Sequence, residues 1–170
     1  AVSPFMIRSV GAKYVIVGHS DNRSEGDTHQ ILKMKVDLVL KNKMKVIFCI
    51  GEDKIVKKNK KTFQVLKSQL TNSLESYFNP KNIIIAYEPI WSIGTGQIPS
   101  EKELKLTTIY IKKVLRQFFK KKCPPVLYGG SVDNKNISML CKIKEIDGFL
   151  IGGASQNSKN FIDIVKKTYN

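Results

Sequence analysis

Apolar residues in this chain follow two alternating spacings. Short runs of β-branched and aliphatic residues are separated by longer stretches in which apolar side chains return every three or four positions. The runs Tyr14-Val-Ile-Val17, Lys45 to Ile50, Ile83-Ile-Ile-Ala86, Pro125 to Tyr128 and Gly148-Phe-Leu-Ile151 predict five strands. Residues 22–42 carry Ile31, Leu32, Met34, Val36, Leu38, Val39 and Leu40, the spacing of one partly buried helix. Phe63, Val65, Leu66, Leu70, Leu74, Tyr77 and Phe78 mark a second helix, ended by Asn79-Pro80. Ser100-Glu-Lys-Glu103 is a capping box that opens a helix to about residue 121. A short helix over 136–141 and an amphipathic one over 160–169 follow. Residues 3–10 read as the end of a helix leading into the first strand.

Strict alternation of strand and helix predicts an α/β fold with a parallel sheet. Strands that are apolar almost throughout predict burial on both faces. Nothing resembling a linker interrupts the pattern, so residues 1–170 are expected to form a single domain. An eight-stranded βα barrel takes about 250 residues, and the shortfall of about 80 matches three βα units. The expected fold is therefore an incomplete (βα)8 barrel of five units, its C-terminal part. An open flavodoxin-like sheet fits the same count.

Composition narrows the function classes. The chain is 42% hydrophobic and 25% charged, with no apolar run long enough to span a membrane and no signal-peptide pattern at Ala1 to Arg8, so a cytoplasmic location is expected. Its three cysteines, Cys49, Cys123 and Cys141, are widely spaced, which argues against a disulfide framework or a zinc site. Cys49, inside an apolar run, reads as a small buried hydrophobe. The net charge of +15 resides mostly in lysines such as Lys57-Lys-Asn-Lys-Lys61 and Lys120-Lys-Lys122. Without arginine–aromatic interleaving they read as solvated helix faces rather than a nucleic-acid surface.

Every chemically suggestive segment follows a strand, and in a βα barrel those positions share one face. Gly18-His-Ser-Asp-Asn-Arg23 places His19 at the start of a helix, where exposed N–H groups disfavour an imidazolium. A His that caps or packs at a strand end is the plainer reading of that residue alone. His29 is expected on a solvated helix face. Glu52, in Cys49-Ile-Gly-Glu52, orients a neighbour or caps the next helix. Glu88 follows the third strand and precedes Pro89-Ile-Trp91 and the tip Gly94-Thr-Gly96, a base beside a closable loop. Tyr128-Gly-Gly-Ser131 and Ile151-Gly-Gly-Ala-Ser155 bring backbone N–H groups toward a phosphate.

In this order the motifs resemble the triosephosphate isomerase family over nearly the whole chain. The resemblance implies interconversion of dihydroxyacetone phosphate and glyceraldehyde 3-phosphate through an enediol, without metal or organic cofactor. It implies Glu88 as the base and neutral His19 as the group that polarises the substrate carbonyl. It implies Gly94, Ser131, Gly152 and Gly153 as phosphate ligands, with Tyr128 and Ser131 latching the lid. Ser20, Asp21, Glu52 and Trp91 are implied in support. A homodimer is implied for the full-length protein. The family reads Glu-Arg-Arg where this chain has Asp21-Asn22-Arg23. Its Asn and Lys after the first strand, and its dimer-forming loop after the third, lie outside these residues, so this chain alone is expected to be inactive. The rival expectations are another phosphate-binding barrel isomerase and a non-catalytic basic remnant that binds nucleic acid.

Overall fold

A computed structural model describes residues 2–169. Five parallel strands, β1 (Tyr14–Val17), β2 (Lys45–Ile50), β3 (Ile83–Tyr87), β4 (Val126–Tyr128) and β5 (Gly148–Phe149), lie side by side in sequence order. The helices are α1 (Pro4–Ser9), α2 (Ser20–Ser24), α3 (His29–Lys41), α4 (Lys54–Lys58), α5 (Thr62–Ser73), α6 (Glu101–Phe118), α7 (Ile137–Leu140) and α8 (Ser158–Tyr169). Each strand is followed by at least one helix, so the α/β expectation holds. No helix among the described residues is long and apolar enough to cross a membrane.

The register brings all five C-terminal strand ends to one edge: Val17 pairs with Phe48, Ile50 with Tyr87, Tyr87 with Tyr128, and Tyr128 with Phe149. Central-strand side chains Val46, Phe48, Ile83 and Ile85 are fully buried, and Leu32 and Val36 of α3, Leu66 and Leu70 of α5, and Leu104 and Ile111 of α6 join them in the core. Each such burial stabilises by roughly 1.5–3 kcal/mol, an upper estimate because the unfolded chain is itself partly collapsed. The capping box is present as expected: Ser100 Oγ accepts the Glu103 N–H and Glu103 Oε2 accepts the Ser100 N–H.

Four expectations need correction. The helix expected over 22–42 is two helices, because Gly26 takes φ +110° and Thr28 caps a new start by accepting the Ile31 N–H. The helix expected to reach Phe78 stops at Ser73, with Leu74 extended, and the separate α4 precedes it, capped by Asp53. The fifth strand stops at Phe149, although the Leu150 N–H still reaches Tyr128 O. Burial on both faces holds for β2 and β3 but not for β1, where Tyr14 and Ile16 are about half exposed, at 47% and 49%. Among the described residues β1 and β5 each have one neighbouring strand.

Candidate active site

Glu88 is the first residue beyond β3, and its N–H donates to Ile50 O at 2.8 Å, which ties it to the end of β2. Two glycines make room for it. A Cβ on Gly51 would overlap the Glu88 carbonyl, and one on Gly129 would stand 2.7 Å from Glu88 Cγ and 2.8 Å from Oε1. Gln69 fixes the Gly51 peptide, accepting its N–H and donating to its carbonyl, both at 2.9 Å. The Glu88 carboxylate is buried, and Oε2 has no hydrogen-bond partner. Burial pushes its pKa above the usual carboxylate range, against the opposing pull of the Cys49 thiol and His19. A buried, unpaired carboxylate oxygen costs stability, and such groups concentrate where chemistry needs them.

His19 caps α2. Its Nδ1 accepts the Asp21 N–H at 3.3 Å, so in the neutral ring the proton resides on Nε2. That Nε2 lies 4.0 Å from Glu88 Oε2. Asp21 also places its carboxylate 3.4 Å from Nδ1. Ser20, next to it, lines a small recess with Gly18, Arg23, Cys49 and Glu88.

His19, Glu88, Gly94, Ser131, Gly152 and Gly153 line one cavity of about 340 Å³, so the principal residues singled out in the sequence converge. Gly94 and Gly152 donate their N–H groups to no described residue, and nothing lies within 4 Å of where a Cβ would sit on Gly94, Gly152 or Gly153. Bare amides of this kind suit a phosphate. Ser131 differs from expectation: its N–H points at Ser92 Oγ at 3.2 Å rather than into the cavity.

The loop from Pro89 to Gln97 is hydrogen-bonded to the turn after β4. Ser131 Oγ accepts the Gly96 N–H at 3.0 Å and donates to Ser92 O at 2.6 Å. Ser92 Oγ and the Tyr128 hydroxyl are 3.0 Å apart, a contact that a Cβ on Gly130 would obstruct. Burial raises the Tyr128 pKa to about 12, so its hydroxyl keeps its proton. At the hinge, Glu52 accepts from Trp91 Nε1 at 3.0 Å and from the Tyr87 hydroxyl at 3.2 Å. Asp53 performs the capping, so of the two readings of Glu52 the geometry matches orientation.

Three contributors escaped the sequence reading. Arg23 donates from Nε to Gly18 O at 2.7 Å and from Nη2 to Cys49 O at 2.9 Å, clamping the ends of β1 and β2. Cys49 is buried beneath Glu88, and burial together with that carboxylate pushes its thiol pKa up strongly. Ser92 is the centre of the contacts between the loop of residues 89–97 and the β4 turn. Only Ser92 carried a local signal, its place inside the loop motif. His29, expected in solvent, is half-buried with Nδ1 2.8 Å from Ser73 Oγ.

Comparison with known proteins accords with this geometry. The family model described as triosephosphate isomerase matches residues 1–168. The chain belongs to the triosephosphate isomerase family. The family's enzyme from Thermodesulfovibrio yellowstonii is 40% identical over 170 aligned residues, covering 97% of this chain and 68% of that protein. The enzyme from Dehalococcoides mccartyi is 39% identical, covering 98% of this chain and 67% of its own length. A crystal structure of triosephosphate isomerase from Bartonella henselae superposes with a TM-score of 0.90 at 31% identity, over 99% of this chain and 69% of that one. The chain thus spans about two thirds of these relatives' length, and its parallel sheet corresponds to part of the family's barrel.

Proposed function

We propose that Glu88 and His19 carry out the aldose–ketose isomerisation of a triose phosphate, interconverting dihydroxyacetone phosphate and glyceraldehyde 3-phosphate. Glu88 Oε2 takes a proton from the carbon beside the substrate carbonyl. The electron pair of that C–H bond becomes the new C=C bond, and the carbonyl π pair moves onto oxygen. His19, donating through Nε2–H, stabilises that oxygen and passes a proton between the two enediol oxygens. The carboxylic acid formed on Glu88 then returns its proton to the neighbouring carbon, completing an exchange with no net gain or loss of electrons. The amides of Gly94, Gly152 and Gly153 hold the phosphate, and the closed lid excludes water so that the enediolate does not expel phosphate.

The observation that carries this reading is the unpartnered Oε2 of Glu88, buried 4.0 Å from His19 Nε2 on the wall of the glycine-lined cavity. The experiment is a coupled assay on the protein from its native source and on its Glu88→Gln variant. General-base catalysis contributes about 10²- to 10⁴-fold, and a loss of that size is expected. The variant should also stop washing solvent deuterium into the substrate carbon. Turnover and exchange that survive the substitution would refute the assignment. Family membership further supports a homodimer in the cytoplasm; sedimentation of the native protein as a monomer would count against the dimer.

A further inference from the structure

One lysine touches both the start of the loop after Glu88 and the helix that follows that loop. Lys57 of α4 places Nζ 3.6 Å from the centroid of the Trp91 ring and 3.6 Å from Glu103 Oε1. Trp91 sits in the hinge where the loop leaves Glu88. Glu103 belongs to the capping box that opens α6, where the loop returns. The indole is therefore held twice, by the Glu52 carboxylate at its Nε1–H and by the ammonium over its face. Behind it lies a cavity of about 260 Å³, lined by Glu52, Lys57, Phe63, Tyr87, Trp91 and Leu106 among others. Lys60 also lines the cavity, but among the described residues it makes neither contact.

We propose that Lys57 is a positioning residue that holds the lid closed, with its ammonium stabilising the indole orientation found when Gly96 is bonded to Ser131. This rests on the reading of residues 89–97 as a lid over the phosphate site. The carboxylate and the ammonium hold the same indole orientation, the one that accompanies the Gly96–Ser131 bond. A partly exposed cation over an indole shifts such an equilibrium by roughly 2- to 30-fold.

Trp91 is the chain's single tryptophan, so its emission reports the hinge directly. Inorganic phosphate is titrated into the native protein and into its Lys57→Met and Lys57→Arg variants, with acrylamide quenching and melting temperature measured alongside. Lys57→Met should weaken phosphate binding roughly 2- to 30-fold, expose Trp91 to acrylamide, and raise KM more than it lowers kcat. Lys57→Arg should restore all three. In a Trp91→Leu background, with affinity read by calorimetry, Lys57→Met should change nothing further. A lower melting temperature with unchanged phosphate affinity and quenching would mean a merely structural lysine and would overturn the proposal. An equal effect without the indole would overturn it as well. If the unmutated protein binds no phosphate, the phosphate-site reading falls and quenching alone decides: equal quenching in the Met variant rejects Lys57. None of these readouts depends on Glu88 being the base.

Discussion

At the scale of residues, Glu88 trades stability for reactivity. Its carboxyl is raised from an ordinary value of 4.5, first by burial. Below that ordinary value the group is protonated in both folded and unfolded chains and contributes nothing. As pH rises, the unfolded chain releases its proton first, so stability is lost between 4.5 and the raised value and stays lost above it. Glu88→Gln cannot ionise. Its melting temperature relative to the unmutated protein should therefore rise from pH 4 to pH 7; a difference that does not change with pH would contradict the burial argument. Gly129 offers a second check. A Cβ there would stand 2.7 Å from Glu88 Cγ, so Gly129→Ala should displace the carboxylate. A misplacement of about 1 Å costs about 10²-fold in rate, expected here in kcat with the circular-dichroism spectrum unchanged. Glu88 was legible in the sequence because a carboxylate, hinge and glycine tip are contiguous. Arg23, Cys49 and the fit of Gly129 were not, because each acts across strands: Arg23 reaches Cys49 O, 26 residues away.

At the scale of elements, the apolar runs located every strand, because central strands need continuous hydrophobic sequence and the chain supplies it. Helix ends were harder to place. The apolar spacing begins only at Ile31, and residues 20–30 are polar throughout, so periodicity cannot mark the break that Gly26 and the Thr28 cap make. Three helix ends also hide behind an unusual residue. Lys43, Lys60 and Lys120 follow α3, α4 and α6 with φ of 60°, 57° and 51°, the left-handed position that glycine usually takes. At α3 the cap is otherwise regular, with the Lys43 N–H on Leu40 O and the Met44 N–H on Val39 O. A side chain in this conformation costs roughly 1–2 kcal/mol, and glycine returns about 0.5–1 kcal/mol of that as backbone entropy. Lys43→Gly should therefore stabilise by up to about 1 kcal/mol in a urea titration with an unchanged m-value. A lower midpoint would show that the lysine is held by something other than its backbone.

At the scale of the whole molecule, the sheet's two outer strands govern how these residues behave on their own. Inner strands β2 to β4 are covered, but β1 leaves Tyr14 and Ile16 half exposed, and ahead of it Phe5 of α1 and Val10 just after that helix are 72% and 82% exposed. The sequence reads β1 as a strand buried on both faces, but burial depends on what packs beside a strand, which local sequence does not encode, and among the described residues only β2 pairs with it. Unpaired strand edges next to exposed apolar side chains invite association. The open side also reaches the site, since Ile16 lines the cavity with His19 and Glu88. The 170-residue chain expressed alone should therefore scatter light as an aggregate and show no turnover above background. Adding a polypeptide that supplies the family's first three βα units should restore both solubility and isomerase activity, and Glu88→Gln should abolish that activity again. A monodisperse, fully active 170-residue chain would mean that the five-stranded sheet suffices and that His19, Glu88 and the glycine turns need no further strand to hold them.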